Sequence, residues 1–367
     1  MVSVIMAGGG TAGHTSPLIA TAERLRELDP SVTISCVGTP KGLESRVIPE
    51  AGLRLEMIPP VPLPRKPTTE LLGVPARLAK AVAQSRAILR QHAADVVVGF
   101  GGYVSLPVYL AARTMGVPVV IHEQNAVPGL ANKVASRFAK VVAVSFPDTP
   151  LPHARYLGLP VRKGIAHLDR AAERAEARSA LGIESDRPLL LVSGGSQGAV
   201  AINDATLAAR DAILAEGVDI LHVLGPKNMG DDSVEVTNDD TKAVYKPVAY
   251  VDHMEQAYAA ADLMVGRSGA GTVVETAVVG LPVIFVPLPH GNGEQAKNAT
   301  FLVRAGAARL VPNAEFTGER MRNEVLPLVT EPWRLTEMSE KCRGLVPADA
   351  AGDLAQAVLD VAAQKEA

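Results

Sequence analysis

Val4-Ile5-Met6-Ala7-Gly8-Gly9-Gly10-Thr11-Ala12-Gly13-His14 opens the first half of the chain. Leu189-Leu190-Leu191-Val192-Ser193-Gly194-Gly195-Ser196-Gln197-Gly198-Ala199 opens the second. Each stretch is an apolar run of strand length, a glycine-rich turn and the start of a helical pattern. Apolar runs without alternation suit parallel strands buried on both faces. Further runs follow at residues 32–37, 95–99, 117–122 and 141–145, and then at 219–224, 242–247, 262–265 and 283–287, with the two quoted strands at 2–7 and 188–193. Helical spacing fills 17–28, 201–215 and 271–279. A repeated βα pattern means a doubly wound α/β sheet, and its restart near residue 188 means two Rossmann-like domains. The charged, Ala/Arg-rich stretch 159–184 suits the linker and the first helix of the second domain, which predicts domains at 1–162 and 163–346. Two such domains facing each other would leave a central cleft. Ligands of these sheets bind beyond the carboxyl ends of the strands, so both glycine loops would face it.

The 367 residues exceed what one compact core usually holds, which agrees with two domains. Hydrophobic residues at 47% and charged residues at 20% exclude a disordered chain. A net charge of -3 argues against a nucleic-acid partner, which would call for a basic excess. Cys36 and Cys342 read as buried thiols of a reducing compartment. No apolar run is long enough to span a bilayer, and Met1–Ala7 lacks the basic start of a signal peptide. The expectation is a cytosolic protein able to touch a membrane surface.

Gly8-x-Gly10-x-x-Gly13 satisfies the dinucleotide fingerprint, but an NAD enzyme needs an acid at the end of the second strand. That strand ends Val37-Gly38-Thr39-Pro40-Lys41, without a carboxylate. Similar turns recur at Gly99-Phe100-Gly101-Gly102-Tyr103 and at 193–199. Any one of them could be a tight turn with no ligand; three together favour phosphate or sugar binding at helix N-termini. Ser268-Gly269-Ala270-Gly271-Thr272 opens another helix. Glu275 lies one turn further, where it would accept hydrogen bonds from a ribose or else only offset the helix dipole.

Gly8–His14, Gly99–Tyr103 with Ser105-Leu106-Pro107, His122-Glu123-Gln124-Asn125, Ser193–Ala199 and Arg267–Glu275 through Gln295-Ala296-Lys297-Asn298 occur in this order. Together they resemble the MurG family, the UDP-N-acetylglucosamine:undecaprenyl-pyrophosphoryl-MurNAc-pentapeptide N-acetylglucosaminyltransferases, over about residues 1–345. The resemblance implies a GT-B architecture, inversion at the anomeric carbon, no cofactor or essential metal, and a C-terminal segment, 347–367, whose helix packs back on the first domain. It implies UDP-GlcNAc and the lipid-linked acceptor lipid I as substrates. It also implies peripheral attachment to the cytoplasmic face of the cell membrane. Donor contacts carried over by position are Thr11, Ala12, Gly13, Asn125, Arg162, Ser196, Val251 beside the uracil, Ala270, Gly271, Thr272, Val273, Val274, Glu275 and Gln295. Ala12 stands where the family often has glycine. Glu294-Gln295 stands where it often has Gln-Gln, so Glu294 carries no assignment.

Inverting transfer needs a base for the acceptor hydroxyl and stabilisation of the departing diphosphate. His14 follows the first loop and is the expected base, with Glu123 and Tyr103 as alternatives. The N-terminus of the helix after Ser196 is the expected anion stabiliser. Two other functions stay open: a UDP-GlcNAc 2-epimerase on the same fold, and a non-catalytic sugar- or lipid-binding subunit. For the membrane, the stretch 64–92 carries Arg65, Lys66, Arg77, Lys80, Arg86 and Arg90 against Glu70 alone. Its apolar residues Leu71, Leu72, Val74, Leu78, Val82, Ile88 and Leu89 would face lipid or, in an ordinary surface helix, the core.

Overall fold

The computed structural model describes residues 1–61, 73–195, 198–231, 233–290 and 292–366. The chain divides into two units, Met1–Arg162 with Asp349–Ala367, and Lys163–Ala348.

In the first unit the order is β1 (Ser3–Ala7), α1 (Ala12–Leu28), β2 (Thr33–Gly38), α2 (Glu44–Glu50), β3 (Arg54–Met57), α3 (Val74–Gln91), β4 (Val96–Gly99), α4 (Ser105–Met115), β5 (Val119–Glu123), α5 (Leu130–Ala135), β6 (Val141–Val144) and β7 (Ala154–Tyr156). The strands form one parallel sheet in the order β3-β2-β1-β4-β5-β6-β7. All of β1, β4, β5 and β6 is buried, which is why those runs show no alternation. One face of the sheet packs Val4, Met6 and Val98 against Leu18 and Leu25 of α1. The other packs Ile5, Val97 and Ile121 against Val108 and Ala112 of α4.

The second unit runs α6 (Lys163–Ala166), α7 (Arg170–Ala180), β8 (Leu189–Ser193), α8 (Val200–Ala215), β9 (Asp219–Val223), β10 (Val236–Thr237), β11 (Val244–Val248), α9 (Met254–Ala260), β12 (Leu263–Gly266), α10 (Ala270–Val278), β13 (Val283–Phe285), α11 (Glu294–Arg304), β14 (Ala308–Leu310), α12 (Gly318–Val329) and α13 (Pro332–Cys342). Its sheet order is β10-β11-β9-β8-β12-β13-β14, parallel except for β10. The last helix, α14 (Ala350–Glu366), belongs to the first unit. Leu354, Val358 and Val361 join the core beside Leu18 and Leu25, and Asp349 pairs with Arg24 at 3.0 Å.

In each sheet the chain leaves the first strand in one direction and returns on its other side. The resulting switch points lie between β1 and β4 and between β8 and β12. A crevice at the carboxyl ends of such a pair is where doubly wound sheets take ligands.

The basic stretch is only partly described: Arg65, Lys66, Glu70, Leu71 and Leu72 lie outside the described residues. In α3, Val74, Ile88 and Leu89 are buried and Leu78 and Val82 pack against the same core. The expectation that these residues could form a lipid face is corrected: they are the helix's core face. Arg77, Lys80 and Arg90 are exposed. Among the described residues no helix is long and apolar enough to cross a membrane.

Candidate active site

At the first switch point the turn after β1 meets the turn after β4. Thr11 caps α1 with extended backbone, and Thr11, Ala12 and Gly13 are exposed at a helix start that carries no acid in its first turn. The half-buried His14 ring packs along Gly101 and Gly102. A Cβ at those glycines would stand 3.6 Å from Cε1 and 3.5 Å from Cδ2 of the ring. Both glycines have positive φ, 80° and 79°, and a Cβ at Gly102 would also come within 2.8 Å of the Gly9 carbonyl. Close approach of the two turns therefore requires glycine there. Nδ1 of His14 lies 3.0 Å from Oε1 of Gln124, just past β5.

The amide of Gly10 is already engaged. Glu44, fully buried at the start of α2, accepts from Gly10 N at 2.8 Å, Thr39 N at 3.0 Å and Thr39 Oγ1 at 2.8 Å. Tyr103 OH lies 3.2 Å from the same Thr39 hydroxyl. A carboxylate thus does sit beside the end of β2, but it faces the protein's own first loop. Gly9, Gly38 and Gly42 leave room for it, since a Cβ at any of them would overlap its side chain.

Glu123 is likewise consumed. It accepts from Asn125 N and Gly129 N at 3.0 Å and from Asn132 Nδ2 at 2.9 Å, shaping the turn that presents Asn125. Burial pushes its pKa up, while these donors and nearby His14 pull it back. Arg162 is exposed at the end of the unit.

At the second switch point, Gly194 and Gly198 fold the turn after β8 tightly. A Cβ on Gly194 would strike Ala199, and one on Gly198 (φ 73°) would strike the Leu224 carbonyl. Ser196 itself lies outside the described residues. Beyond β12, Gly269 caps α10, whose first turn holds no acid. Ala270, Val273 and Val274 are buried, while Gly271, Thr272 and Glu275 are half-buried on the helix. Oε2 of Glu275 accepts from Tyr258 OH at 2.8 Å. Val251 is buried after β11, next to the exposed Tyr250. The half-buried Gln295 accepts from Leu288 N at 2.9 Å, tying α11 to the end of β13. Arg267 donates to the Val286 and Pro287 carbonyls and to Asn313, fixing the strand ends below this turn. Asp239 and Asp240 lie in an exposed turn after β10.

Residues 4–144 match the model of the glycosyltransferase family 28 N-terminal domain, and residues 189–357 match that of its C-terminal domain. A Cutibacterium acnes protein is 61% identical over 368 residues, 99% of this chain and 98% of its own. Its name is UDP-N-acetylglucosamine--N-acetylmuramyl-(pentapeptide) pyrophosphoryl-undecaprenol N-acetylglucosamine transferase. The crystal structure of Acinetobacter baumannii MurG is 30% identical with a TM-score of 0.77, covering 98% of this chain and 100% of its own. The chain belongs to the MurG family of glycosyltransferases. Its two doubly wound domains are the GT-B fold. A UDP-GlcNAc 2-epimerase from Neisseria meningitidis shares that fold at 12% identity and a TM-score of 0.66, covering 99% of this chain and 100% of its own, which speaks for the fold alone.

Within this MurG family chain the motif residues gather at the carboxyl ends of β1, β4 and β5 in one unit and of β8, β11, β12 and β13 in the other. Sequence reasoning missed Glu44, Thr39, Asn132 and Tyr258, which hold the site residues in place. It quoted His122 and Gln124 without giving either a part in the site. Glycines clustered at positions 9, 38 and 42 were the available signal for a buried group.

Proposed function

We propose that this protein transfers N-acetylglucosamine from UDP-GlcNAc to the C4 hydroxyl of MurNAc-(pentapeptide)-pyrophosphoryl-undecaprenol, converting lipid I to lipid II in peptidoglycan synthesis. The observation that carries the reading is likeness to a transferase of that name along the full length, both switch-point loops included. The donor sugar is α-linked and the product β-linked, so the acceptor oxygen attacks C1 opposite the departing UDP. His14 takes the hydroxyl proton. Tyr103 is bonded to Thr39, beside the buried Glu44 carboxylate, and Glu123 is spent on three donors, so both fit a supporting part better than that of base.

The N-termini of α8 and α10 meet the charge growing on the diphosphate. Preorganised donors of this kind are worth ~2.7–4 kcal/mol each. Glu275, steadied by Tyr258, takes the ribose hydroxyls; Val251 lies beside the uracil. Thr11, Ala12, Gly13, Asn125, Arg162, Ser196, Ala270, Gly271, Thr272 and Gln295 supply further donor contacts. Val273 and Val274 have buried side chains, and the Val273 amide donates to the Gly269 carbonyl at 3.0 Å, so they fit a part in backing the N-terminus of α10 better than direct contact with the donor. The acceptor's lipid tail stays in its bilayer, which places the enzyme at the cytoplasmic face of the membrane, against anionic lipid.

Incubation with UDP-GlcNAc, with and without lipid-linked acceptor, tests the reading. Free UDP should rise only when acceptor is present. Release of a C2 epimer from UDP-GlcNAc alone would establish the isomerase instead.

A further inference from the structure

We infer that Gln124 and His122 are positioning residues: they form a hydrogen-bond chain, ending on the Gly158 carbonyl, that fixes His14 as its Nδ1–H tautomer and keeps Nε2 as the proton-accepting nitrogen. The inference rests on the reading of His14 as base.

The chain is read from its far end, where the chemistry allows one answer. A backbone carbonyl only accepts, and Gly158 O lies 2.8 Å from His122 Nε2, so that nitrogen carries a proton. His122 is fully buried, which drives its pKa down to about 4 and leaves the ring neutral. Its Nδ1 therefore presents a lone pair. Gln124 Nε2 stands 3.0 Å from that Nδ1 and 2.9 Å from the His122 carbonyl, two acceptors that match the two hydrogens of an amide nitrogen. A flipped amide would set oxygen against both. Oε1 of Gln124 consequently faces His14 Nδ1 at 3.0 Å, where only Nδ1–H makes a bond. The opposite tautomer would set lone pair against lone pair, with a buried amide oxygen left unmet.

Local sequence explains the arrangement. His122 and Gln124 are two residues apart at a strand end, so they share a side, while Glu123 between them turns to the Asn125–Asn132 segment. When Nε2 receives the acceptor's proton, Nδ1–H keeps its bond and no second proton has to move.

The first test reads the tautomer in the parent protein. Nitrogen-15 NMR of neutral His14, assigned by its loss in His14→Gln, should show a protonated Nδ1 and a bare Nε2, the reverse of what a free histidine side chain prefers. In Gln124→Met the ring should revert to the Nε2–H form. There kcat should fall roughly 10- to 100-fold, less than the ~10²–10⁴ expected for loss of the base in His14→Ala, with donor KM within about twofold of the parent. An Nε2–H tautomer in the parent overturns the inference, as does an unchanged tautomer in Gln124→Met. Turnover lost in His14→Ala but kept in Gln124→Met rejects the chain and leaves the base standing. Near-normal turnover in His14→Ala removes the base and the inference with it.

Discussion

A carboxylate withdrawn from water survives as an anion only where donors meet its lone pairs, and the three acids around these sites differ in how far they are withdrawn. Glu44 is fully buried under three donors and shapes the first glycine loop. Glu123 does the same for the turn before α5. Glu275 is half-buried on α10, with Tyr258 OH on one oxygen. Its proposed part is to accept from the ribose hydroxyls. A charge-assisted hydrogen bond contributes ~1.5–3 kcal/mol. Glu275→Ala should therefore raise the donor KM roughly ten- to a hundred-fold while leaving the acceptor KM near its parent value. Calorimetric titration with UDP gives the same answer without turnover; unchanged affinity in a folded variant would move the ribose contact elsewhere.

At the scale of elements, each sheet carries one buried histidine, His122 on β5 and His222 on β9. His222 Nε2 lies 3.1 Å from Asn203 Oδ1 and Nδ1 lies 3.0 Å from Tyr245 OH. Asn203 spends its amide nitrogen on the Leu224 carbonyl, so its oxygen accepts from the ring, and Tyr245 donates to the other nitrogen. A neutral ring satisfies both, and burial lowers the pKa to about 4. The unfolded chain binds a proton near ~6.5, so between there and about 4 it holds more protons than the folded protein. Stability is then full above ~6.5 and falls on acidification, by up to roughly 3 kcal/mol for each such histidine. Denaturant titrations at pH 7 and 4.5 should show this loss, and His222→Gln should show a smaller one; an equal loss would place the acid sensitivity outside β9. The ten strands expected from apolar runs are all present. The four missed, β3, β7, β10 and β14, are the sheet edges. They are short and half-exposed, with the burial of only one residue, Ala308, complete, so they lack the continuous apolar run that marked the rest. The glycine turns were legible for the opposite reason: backbone geometry restricts them to one residue type. Glu44 was not, because its partner Gly10 is 34 residues away. Nor was the clamp in which Arg174 and Arg178 on α7 hold Asp262 and the Ala260 carbonyl. The stretch 159–184 reads as linker and first helix of the second domain, but nothing local marks Asp262, 84 residues beyond Arg178, as a partner.

At the scale of the whole molecule, the proposed reaction requires the enzyme to reach an acceptor whose tail stays in a bilayer. The apolar residues of α3 are spent on the core of the first unit, so the proposed attraction to lipid falls to charge. Arg77, Lys80 and Arg90 are exposed along that helix, and the half-buried Arg86 donates to Thr114 at the end of α4. Next to Thr114, Arg113 stacks 4.6 Å from the Phe138 ring in a groove of about 600 Å³ that Lys140, Val117 and Val361 also line. Cations thus gather on the first unit of a chain whose net charge is -3, so the proposed membrane binding would be local rather than general. Each near-surface cation adds ~1 kcal/mol against anionic lipid. The protein should co-sediment with vesicles containing anionic phospholipid and not with neutral ones. The bound fraction should fall as added salt shortens the screening length from ~10 Å toward ~3 Å. Arg77, Lys80 and Arg86 changed together to glutamate should weaken that binding by roughly 3 kcal/mol or more, since charges are reversed and not only removed. The affinity for UDP should stay at the parent value, because these residues lie on α3 and α3 carries none of the proposed donor contacts. Binding that survives both salt and the triple change would mean that apolar insertion dominates, and the search would then move to the groove around Phe138.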